Sequence, residues 1–387
     1  MQSTITIRQL IGTTVLAVTV FISVIGQIEP IREIMRPVML AMWGGTILIL
    51  GLFNFKMIKI SKFTGYFFLI YLIYFLFCFT LSFYNDSFLE SNFLMVLLPP
   101  LLVTVVADFY RSIATYKLLK MISLVFIGAA FIYALWVQFT FFPTLGGWYA
   151  TQKYAFVSKN SGAQIWSCGI FLIAFFLNVK ARWLRYFLWG IAGYLAFVCL
   201  LSQCRTAVLG MSCIFGWYFF RNKSKSLVFY SSMIFLVAIV LLEWDFFSAF
   251  LEKAIFLGDQ DNLDANRLSS GRLGLYEEAL NYILSSPIVG NGKYYVDNHY
   301  LCVFTESGIF GFILIESVWL RRLWTNLKYS SNTQFKVFII SITFFYVVES
   351  VFEAFPPFGP GVTAMIFWLY SQLLTGGKIE RYNNLKL

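Results

Sequence analysis

The sequence predicts an all-α integral membrane protein with about twelve transmembrane helices in one transmembrane domain, residues 1–387. Hydrophobic residues make up 59% of the 387 residues and charged residues only 12%, whereas soluble domains carry about 25% charge. One soluble core of this size could not bury so much apolar surface. The apolar residues also form blocks, most of them about 17 to 22 residues long, which is the length that a helix needs to cross a hydrocarbon layer of ~30 Å.

Polar or charged connections separate these blocks along the whole chain. The first block is too long for the hydrophobic part of a signal peptide, and charged residues follow it instead of a cleavage site of small residues. We therefore expect it to remain as a helix. The predicted spans, with approximate edges, are 11–28, 38–55, 63–83, 93–109, 121–142, 163–179, 186–203, 207–220, 227–244, 299–320, 335–352 and 362–374.

The distribution of lysine and arginine predicts the orientation of these spans. If the twelve spans alternate in direction, most of the 29 basic residues fall in connections on the same side. Cytoplasmic loops carry an excess of these residues, so both termini are predicted to be cytoplasmic. The net charge of +10 then reflects topology and not a surface for nucleic acid.

The sequence argues against several kinds of site. The cytoplasmic connections are short and contain no glycine-rich phosphate loop, so we expect no soluble nucleotide-binding domain. The six cysteines lie in or at the ends of helices without the spacing of metal ligands. This favours packing residues over a zinc site or a disulfide framework, and no metal site is expected.

One long connection, residues 245–298, dominates the predicted outer side. A loop of this length is usually functional or contains structure of its own. It begins with a short amphipathic helix, continues through an acidic turn and reaches a second helix that Pro287 ends. In the second helix Leu273, Tyr276 and Leu280 fall on one face, as expected of a helix on the membrane surface or against the bundle.

Polar residues on this predicted outer side form the candidate site. Arg205 stands in a turn of about three residues between spans seven and eight, where topology requires no positive charge and an ionisable group suggests function. Asp297, Asn298 and His299, the only histidine of the chain, directly precede span ten. The other candidates are two residues at the start of span six and two arginines of the long loop: Lys159, Asn160, Arg267 and Arg272.

Several of these residues also have a structural interpretation. A lysine at a helix end commonly extends its amine to the interface. Arg272 could pair with the acidic run of the loop as readily as it could hold an anion at a helix N-terminus. Glu306, in span ten, is expected to hydrogen-bond to a neighbouring helix, with a role in the site as the alternative.

The candidate residues as a set fit a lipid-diphosphate substrate. Guanidinium groups suit phosphate oxygens, because they are permanently charged and can donate two parallel hydrogen bonds. A nearby carboxylate or imidazole can deprotonate a hydroxyl. The lipid tail would then lie among the spans and the headgroup at the outer interface.

Three motifs in this order resemble the O-antigen ligase/polymerase superfamily: "LSQCRTAVLG", "SGRLGLYEEALNYILSSPIVGNG" and "DNHYLCVFTESGIFG". The similarity covers about residues 155–320, and the predicted topology agrees with it. Ligases of the superfamily carry His-Asn, nine residues, Gly, two residues, and then Gly, Thr or Tyr. Here Asp297 occupies the histidine position with Gly308 and Gly311 in register, whereas His299 matches only in residue type. The chain therefore resembles a Wzy-type O-antigen polymerase more than a ligase.

The resemblance implies the C-type membrane glycosyltransferase architecture, in the bacterial inner membrane, with the active site facing the periplasm. The growing glycan would move from undecaprenyl diphosphate to a hydroxyl of a lipid-linked repeat unit, without a metal ion or other cofactor. Arg205 and Arg272 would stabilise the charge of the leaving diphosphate, and Asp297 or His299 would act as the base. Residues expected to bind substrate are Lys159, Asn160, Arg267, Asn298, Tyr276 and Glu306.

The partners implied by the resemblance are the undecaprenyl-diphosphate-linked oligosaccharide, membrane lipids and a chain-length regulator protein, with no nucleic acid. Two other functions stay open at this point. A ligase would join the glycan to the lipid A core, and a repeat-unit flippase or transporter would move it across the membrane. Transporters often contain two similar halves, but this sequence shows no internal repeat, which favours an enzyme.

Overall fold

The chain is all-helical in the residues that the computed structural model describes, namely 5–54, 59–142, 159–202, 204–221, 272–329 and 333–375. A π-helical turn covers Leu172–Phe176, and a 3-10 turn covers Asp86–Phe88. The α-helices of these segments, in chain order, are α1 (Ile7–Ile25), α2 (Glu29–Asn54), α3 (Lys62–Ser82), α4 (Asn92–Tyr110), α5 (Tyr116–Phe141), α6 (Lys159–Phe171), α7 (Arg182–Leu201), α8 (Arg205–Arg221), α9 (Arg272–Ser285), α10 (His299–Tyr329), α11 (Thr333–Phe352) and α12 (Met365–Thr375).

Within these segments, eight helices are long and apolar enough to cross a membrane. This confirms the prediction of a polytopic membrane protein but not the number of twelve spans. Three of the predicted spans correspond to shorter helices, since α6 has 13 residues, α8 has 17 and α12 has 11. At 1.5 Å per residue, α12 covers only about 16 Å of the layer. The predicted span 227–244 lies outside the described residues.

Helix α4 forms the centre of the bundle. It packs against α2, α3 and α12, and 72% of its apolar stretch is buried, against 22% for α2 and 28% for α3. The exposed faces of α2 and α3 carry large apolar side chains such as Leu52 and Phe68. An apolar outer surface of this kind is what contact with lipid requires.

Helix α10 consists of two antiparallel arms, because the chain reverses at Gly308. This residue has a non-helical backbone, with φ 60° and ψ −167°. Nε2 of His299 lies 2.9 Å from Oε1 of Glu316, although a straight helix would separate these residues, seventeen positions apart, by about 25 Å. The prediction that residues 299–320 form one straight helix is therefore wrong. Residues 299–307 run back beside residues 309–329, and only the second arm is long enough to cross a membrane.

The loop of residues 287–292 covers the turn between the two arms. The backbone N–H groups of Asn291 and Gly292 donate to the last carbonyl groups of the first arm, each at 3.0 Å. The first N–H groups of the second arm donate to the carbonyl groups of Pro287 and Ile288. Helix ends leave such groups without partners, and inside a hydrocarbon layer each unsatisfied group costs several kcal/mol. The loop thus stabilises the reversal.

A buried polar network lies at the opposite end of the bundle from Gly308. Asp108 binds Arg111 at 2.9 Å and accepts a hydrogen bond from Nε2 of Gln372 at 2.7 Å. Arg322 is fully buried and donates to Oε1 of Gln372, and its guanidinium lies 3.6 Å from the centroid of the Phe63 ring. A buried charge is costly without such partners, so this network ties α3, α4, α10 and α12 together.

The substitution Gly308→Ala is expected to destabilise the protein. A φ of 60° disfavours any residue with a Cβ, and an added Cβ would lie 2.4 Å from the carbonyl of Ile288. We expect a loss of about 1–3 kcal/mol, measured as a lower apparent unfolding temperature of the purified protein in detergent. Gly128→Ala is the matched control, because Gly128 lies in α5 with no atom within 4 Å of an added Cβ. Equal losses in the two variants would contradict the reversal.

Candidate functional site

A cluster of charged side chains joins α9, the segment before α10 and the end of α11. Arg272, the first residue of α9, lies between two carboxylates: Nε is 3.3 Å from Oδ2 of Asp297, and Nη2 is 3.1 Å from Oε1 of Glu353. The three side chains are 20%, 26% and 9% exposed, respectively, so solvent screens them only in part. We refer to Lys159, Asn160, Arg272, Asp297 and Glu353 as the Arg272 cluster.

Asp297 uses both carboxylate oxygens to organise this cluster. The hydroxyl of Tyr295 donates to Oδ1 at 2.7 Å, while Arg272 binds Oδ2. The hydroxyl of Tyr276, one turn along α9, donates to the backbone carbonyl of Asp297 at 2.9 Å. Asp297 therefore fixes the guanidinium and links α9 to the start of α10.

One carboxylate oxygen of Glu353 carries all the hydrogen bonds that this side chain makes to the described residues. Oε1 accepts from Arg272 and, at 2.9 Å, from Nδ2 of Asn160, whereas no hydrogen bond from the described residues reaches Oε2. The pKa of Glu353 is raised to about 7, mainly by burial and also by the charge of Asp297, while the charge of Arg272 lowers it. A carboxylate that titrates near neutral pH is suited to act as a general base.

Two cations accompany Arg272 at the starts of α6 and α8, namely Lys159 of the cluster and Arg205 beside it. Burial lowers the pKa of Lys159, and the neighbouring charge of Arg205 acts in the same direction. The thiol of Cys204 donates to the backbone carbonyl of Lys159 at 3.3 Å, which brings the start of α8 next to α6. Arg272, Lys159 and Arg205 thus lie close together, and such a group of cations suits an anionic ligand.

The structure brings together most of the residues that the sequence predicts for the site. Asn298 lies next to the cluster, where Oδ1 accepts from the backbone N–H of Leu301 and Nδ2 donates to the carbonyl of Val351. Arg267 lies outside the described residues. The other predicted residues found in or beside the Arg272 cluster are Lys159, Asn160, Arg205, Arg272, Tyr276 and Asp297.

His299 lies outside the cluster. Its side chain has no exposed surface, Nδ1 is 3.0 Å from the carbonyl oxygen of Ala354, and Nε2 is 2.9 Å from Oε1 of Glu316. The rings of Phe93 and Phe358 pack against the imidazole with centroids at 5.6 and 5.7 Å. With Nδ1 bonded to the Ala354 carbonyl and no accessible surface, His299 is not placed to act as the base that the resemblance implies.

Glu306 makes the contact with a neighbouring helix that the sequence predicts. Its carboxylate accepts from the hydroxyl of Ser91, from Nδ2 of Asn92 at 3.2 Å and from the backbone N–H of Phe93 at 3.4 Å. These groups form the N-terminus of α4, where a carboxylate pairs with otherwise unsatisfied donors. Glu306 is therefore a cap for α4, and its alternative role in substrate binding has no support here.

Glu353 and Glu349, which lies one helical turn earlier in α11, are not among the residues that the sequence predicts for the site. The signal was present in "VVESVFEAFPPFGP", where two acidic residues stand four positions apart at the end of an apolar block. An ionisable residue in such a block is a functional candidate by default. Glu349 is 1% exposed and lies beside Gln164 and Thr206.

In the part of the chain that the structure describes, no group of three or more His, Cys, Asp or Glu residues could hold a metal ion. The expectation that the protein needs no cofactor stays a prediction. Comparison of the chain with models of known protein families gives no match, and no curated protein sequence matches it.

Proposed function

We propose that the protein is a membrane glycosyltransferase that polymerises the O-antigen, a bacterial surface polysaccharide. It would transfer the growing glycan from undecaprenyl diphosphate to a hydroxyl of a lipid-linked repeat unit. The observation that supports this most is the Arg272 cluster, in which a guanidinium lies between two carboxylates with Lys159 and Arg205 alongside. The resemblance of the three motifs to the O-antigen ligase/polymerase superfamily suggests the substrate class, a glycan linked to undecaprenyl diphosphate.

The proposed reaction needs a site that binds a diphosphate and deprotonates an alcohol. The bond between the anomeric carbon and the diphosphate oxygen breaks, and its electron pair leaves with the diphosphate. Arg272, Arg205 and Lys159 would stabilise the charge that develops there. Oε2 of Glu353 would take the proton of the acceptor hydroxyl, whose oxygen forms the new glycosidic bond. Asp297 would hold Arg272 in place, a role different from the base expected from the resemblance.

In this function the cluster would lie at the periplasmic face of the inner membrane, with both termini in the cytoplasm. The distribution of lysine and arginine between the predicted spans supports this orientation. The apolar faces of the surrounding helices would accommodate the lipid tail, and a chain-length regulator protein is the proposed partner.

A transfer assay tests the proposed function directly. Purified protein in detergent is mixed with a defined undecaprenyl-diphosphate repeat unit, with and without a metal chelator, and the lipid-linked products are separated by size. We expect products of two or more repeats in both samples. A ligase would form new bonds only when a lipid A core acceptor is added, and a flippase would form none. Absence of any longer lipid-linked product would refute the polymerase.

Loss of the Arg272 guanidinium should abolish most of the transfer activity. Removing one contact that stabilises transition-state charge typically costs about 2.7–4 kcal/mol, or roughly 100- to 1000-fold in rate. We expect this loss in Arg272→Ala and a smaller loss in Arg272→Lys, which retains the charge but not the fork of donors. In cells, Arg272→Ala should leave single repeat units on the lipid at an unchanged protein level. Arg36→Ala is the control, because Arg36 is 63% exposed and pairs only with Glu33 at 4.0 Å among the described residues.

The rate of transfer should rise with pH through the pKa of Glu353. A carboxylate acts as a base only when ionised, so kcat/KM should fall below about pH 7. Arg272 lowers this pKa and Asp297 raises it. Arg272→Gln should therefore move the acidic limb of the profile to higher pH, and Asp297→Asn should move it to lower pH.

Glu353→Gln tests the assignment of this limb. It should remove the limb and reduce the rate by roughly 100- to 10,000-fold, with the protein still folded. A limb that persists in Glu353→Gln would assign the base to another group.

A further inference from the structure

Two consecutive side chains hold the backbone on both sides of Glu353. Nδ2 of Asn298 donates to the carbonyl of Val351 at 2.8 Å, and Nδ1 of His299 lies 3.0 Å from the carbonyl oxygen of Ala354. A carbonyl oxygen only accepts hydrogen bonds, so Nδ1 carries the hydrogen of the second bond. The two bonds fix the chain two residues before Glu353 and one residue after it.

Glu316 and two aromatic rings determine the orientation of the His299 imidazole. Oε1 of Glu316 lies 2.9 Å from Nε2 without the geometry of a hydrogen bond, and this close contact limits how far the ring can turn. Phe93 and Phe358 pack against the ring with centroid distances of 5.6 and 5.7 Å. The hydrogen bond to Ala354 therefore comes from a donor that is itself held on several sides.

The backbone after Glu353 depends on such contacts because regular structure ends there. Helix α11 ends at Phe352, and α12 begins only at Met365. The N–H of Glu353 still donates to the carbonyl of Glu349 at 2.9 Å, so the helix supports one side of this residue alone. A displacement of about 1 Å in a reacting group can cost roughly 100-fold in rate.

We propose that His299 is a positioning residue: its imidazole, oriented by Glu316, holds the carbonyl of Ala354 so that Glu353 stays in the Arg272 cluster. With no exposed surface, His299 acts on a substrate only through this backbone bond. The effect on catalysis rests on the proposed function, in which Glu353 is the base. The anchoring of the backbone is independent of it.

Two substitutions of His299 distinguish the roles of the two ring nitrogens. The amide nitrogen of Asn falls near the position of Nδ1, so His299→Asn retains the donor to Ala354 and loses the contact with Glu316. The amide of Gln falls near Nε2, so His299→Gln does the reverse. We expect His299→Asn to keep kcat close to the parent value and His299→Gln to lower kcat by roughly 10- to 100-fold. KM should change little in both, because the cations that bind the donor are untouched.

The pH profile gives a readout that a purely structural role would not move. Glu353 faces Asp297, Arg272, Lys159 and Glu349, with the amide of Asn160 as a further neighbour. If the Glu353 carboxylate is displaced, its distances to these charges change, and so does its pKa. The acidic limb of the pH profile of kcat/KM should therefore shift in His299→Gln and stay unchanged in His299→Asn. An unshifted limb together with an unchanged kcat in His299→Gln would overturn the inference.

Hydrogen exchange tests the anchoring without any activity measurement. The N–H groups of Phe358 and Gly359 donate to the carbonyl of Phe355, so release of Ala354 should speed exchange in residues 353–359. We expect faster exchange in His299→Gln than in His299→Asn, and equal exchange in the two would refute the anchoring. If the parent protein transfers no glycan, the proposed function fails while this comparison still decides the anchoring.

Two variants of Glu316 test the bond between His299 and the Ala354 carbonyl independently, in case His299→Gln does not fold. Glu316→Gln keeps a hydrogen-bonding group beside Nε2 and should preserve the exchange rates of residues 353–359. Glu316→Ala removes that group and should reproduce the faster exchange expected of His299→Gln. Slow exchange in Glu316→Ala would show that Glu316 does not orient the ring.

Discussion

The reversal of the chain at Gly308 is the constraint on which the candidate site depends. A straight helix through this position would carry His299 about 25 Å away from Glu316, and the two residues before it would move as well. The reversal instead brings Asp297 and Asn298 against the end of α11, where Glu353 lies. It is possible because the loop of residues 287–292 bonds the backbone groups that the two helix ends expose.

Several buried charges among the described residues are compensated at helix ends or by ion pairs. Glu306 lies at the N-terminus of α4, where three donors surround it. Asp108 binds Arg111 and several uncharged donors, and Arg272 serves Asp297 and Glu353 together. Because an ion removed from water needs such partners, each compensated charge also fixes the relative position of two or more helices. Among these contacts, the pairing of Arg272 with Asp297 and Glu353 also places the groups of the candidate site.

Composition and hydropathy were sufficient to predict the membrane class and the approximate positions of most helices. They could not predict the reversal in α10, because an average over an apolar run is the same for one straight helix and for two antiparallel arms. The difference lies in single residues, above all Gly308 with its φ of 60°. This backbone conformation depends on a loop that approaches from elsewhere in the chain.

The candidate site was predicted in part, for a related reason. The position of polar residues next to apolar blocks predicted Arg205, Arg272 and Asp297 as site residues, and the structure places these near one another. The single histidine was predicted in the same way. Its burial, however, depends on Phe93 and Phe358, which are distant in sequence, and on the second arm of α10, which follows the turn at Gly308. Periodicity within one segment carries no information about such partners.

The sharing of Arg272 between two carboxylates has a consequence for the proposed reaction. While Arg272 pairs with Glu353, its charge lowers the pKa of that carboxylate. A diphosphate bound to the same guanidinium would neutralise part of this charge and bring its own negative charge close to Glu353, and both effects raise the pKa. Glu353 would then become a stronger base when the donor is bound, at the stage when the acceptor hydroxyl has to lose its proton. In this way one cation, held by Asp297, could couple binding of the leaving group to activation of the nucleophile.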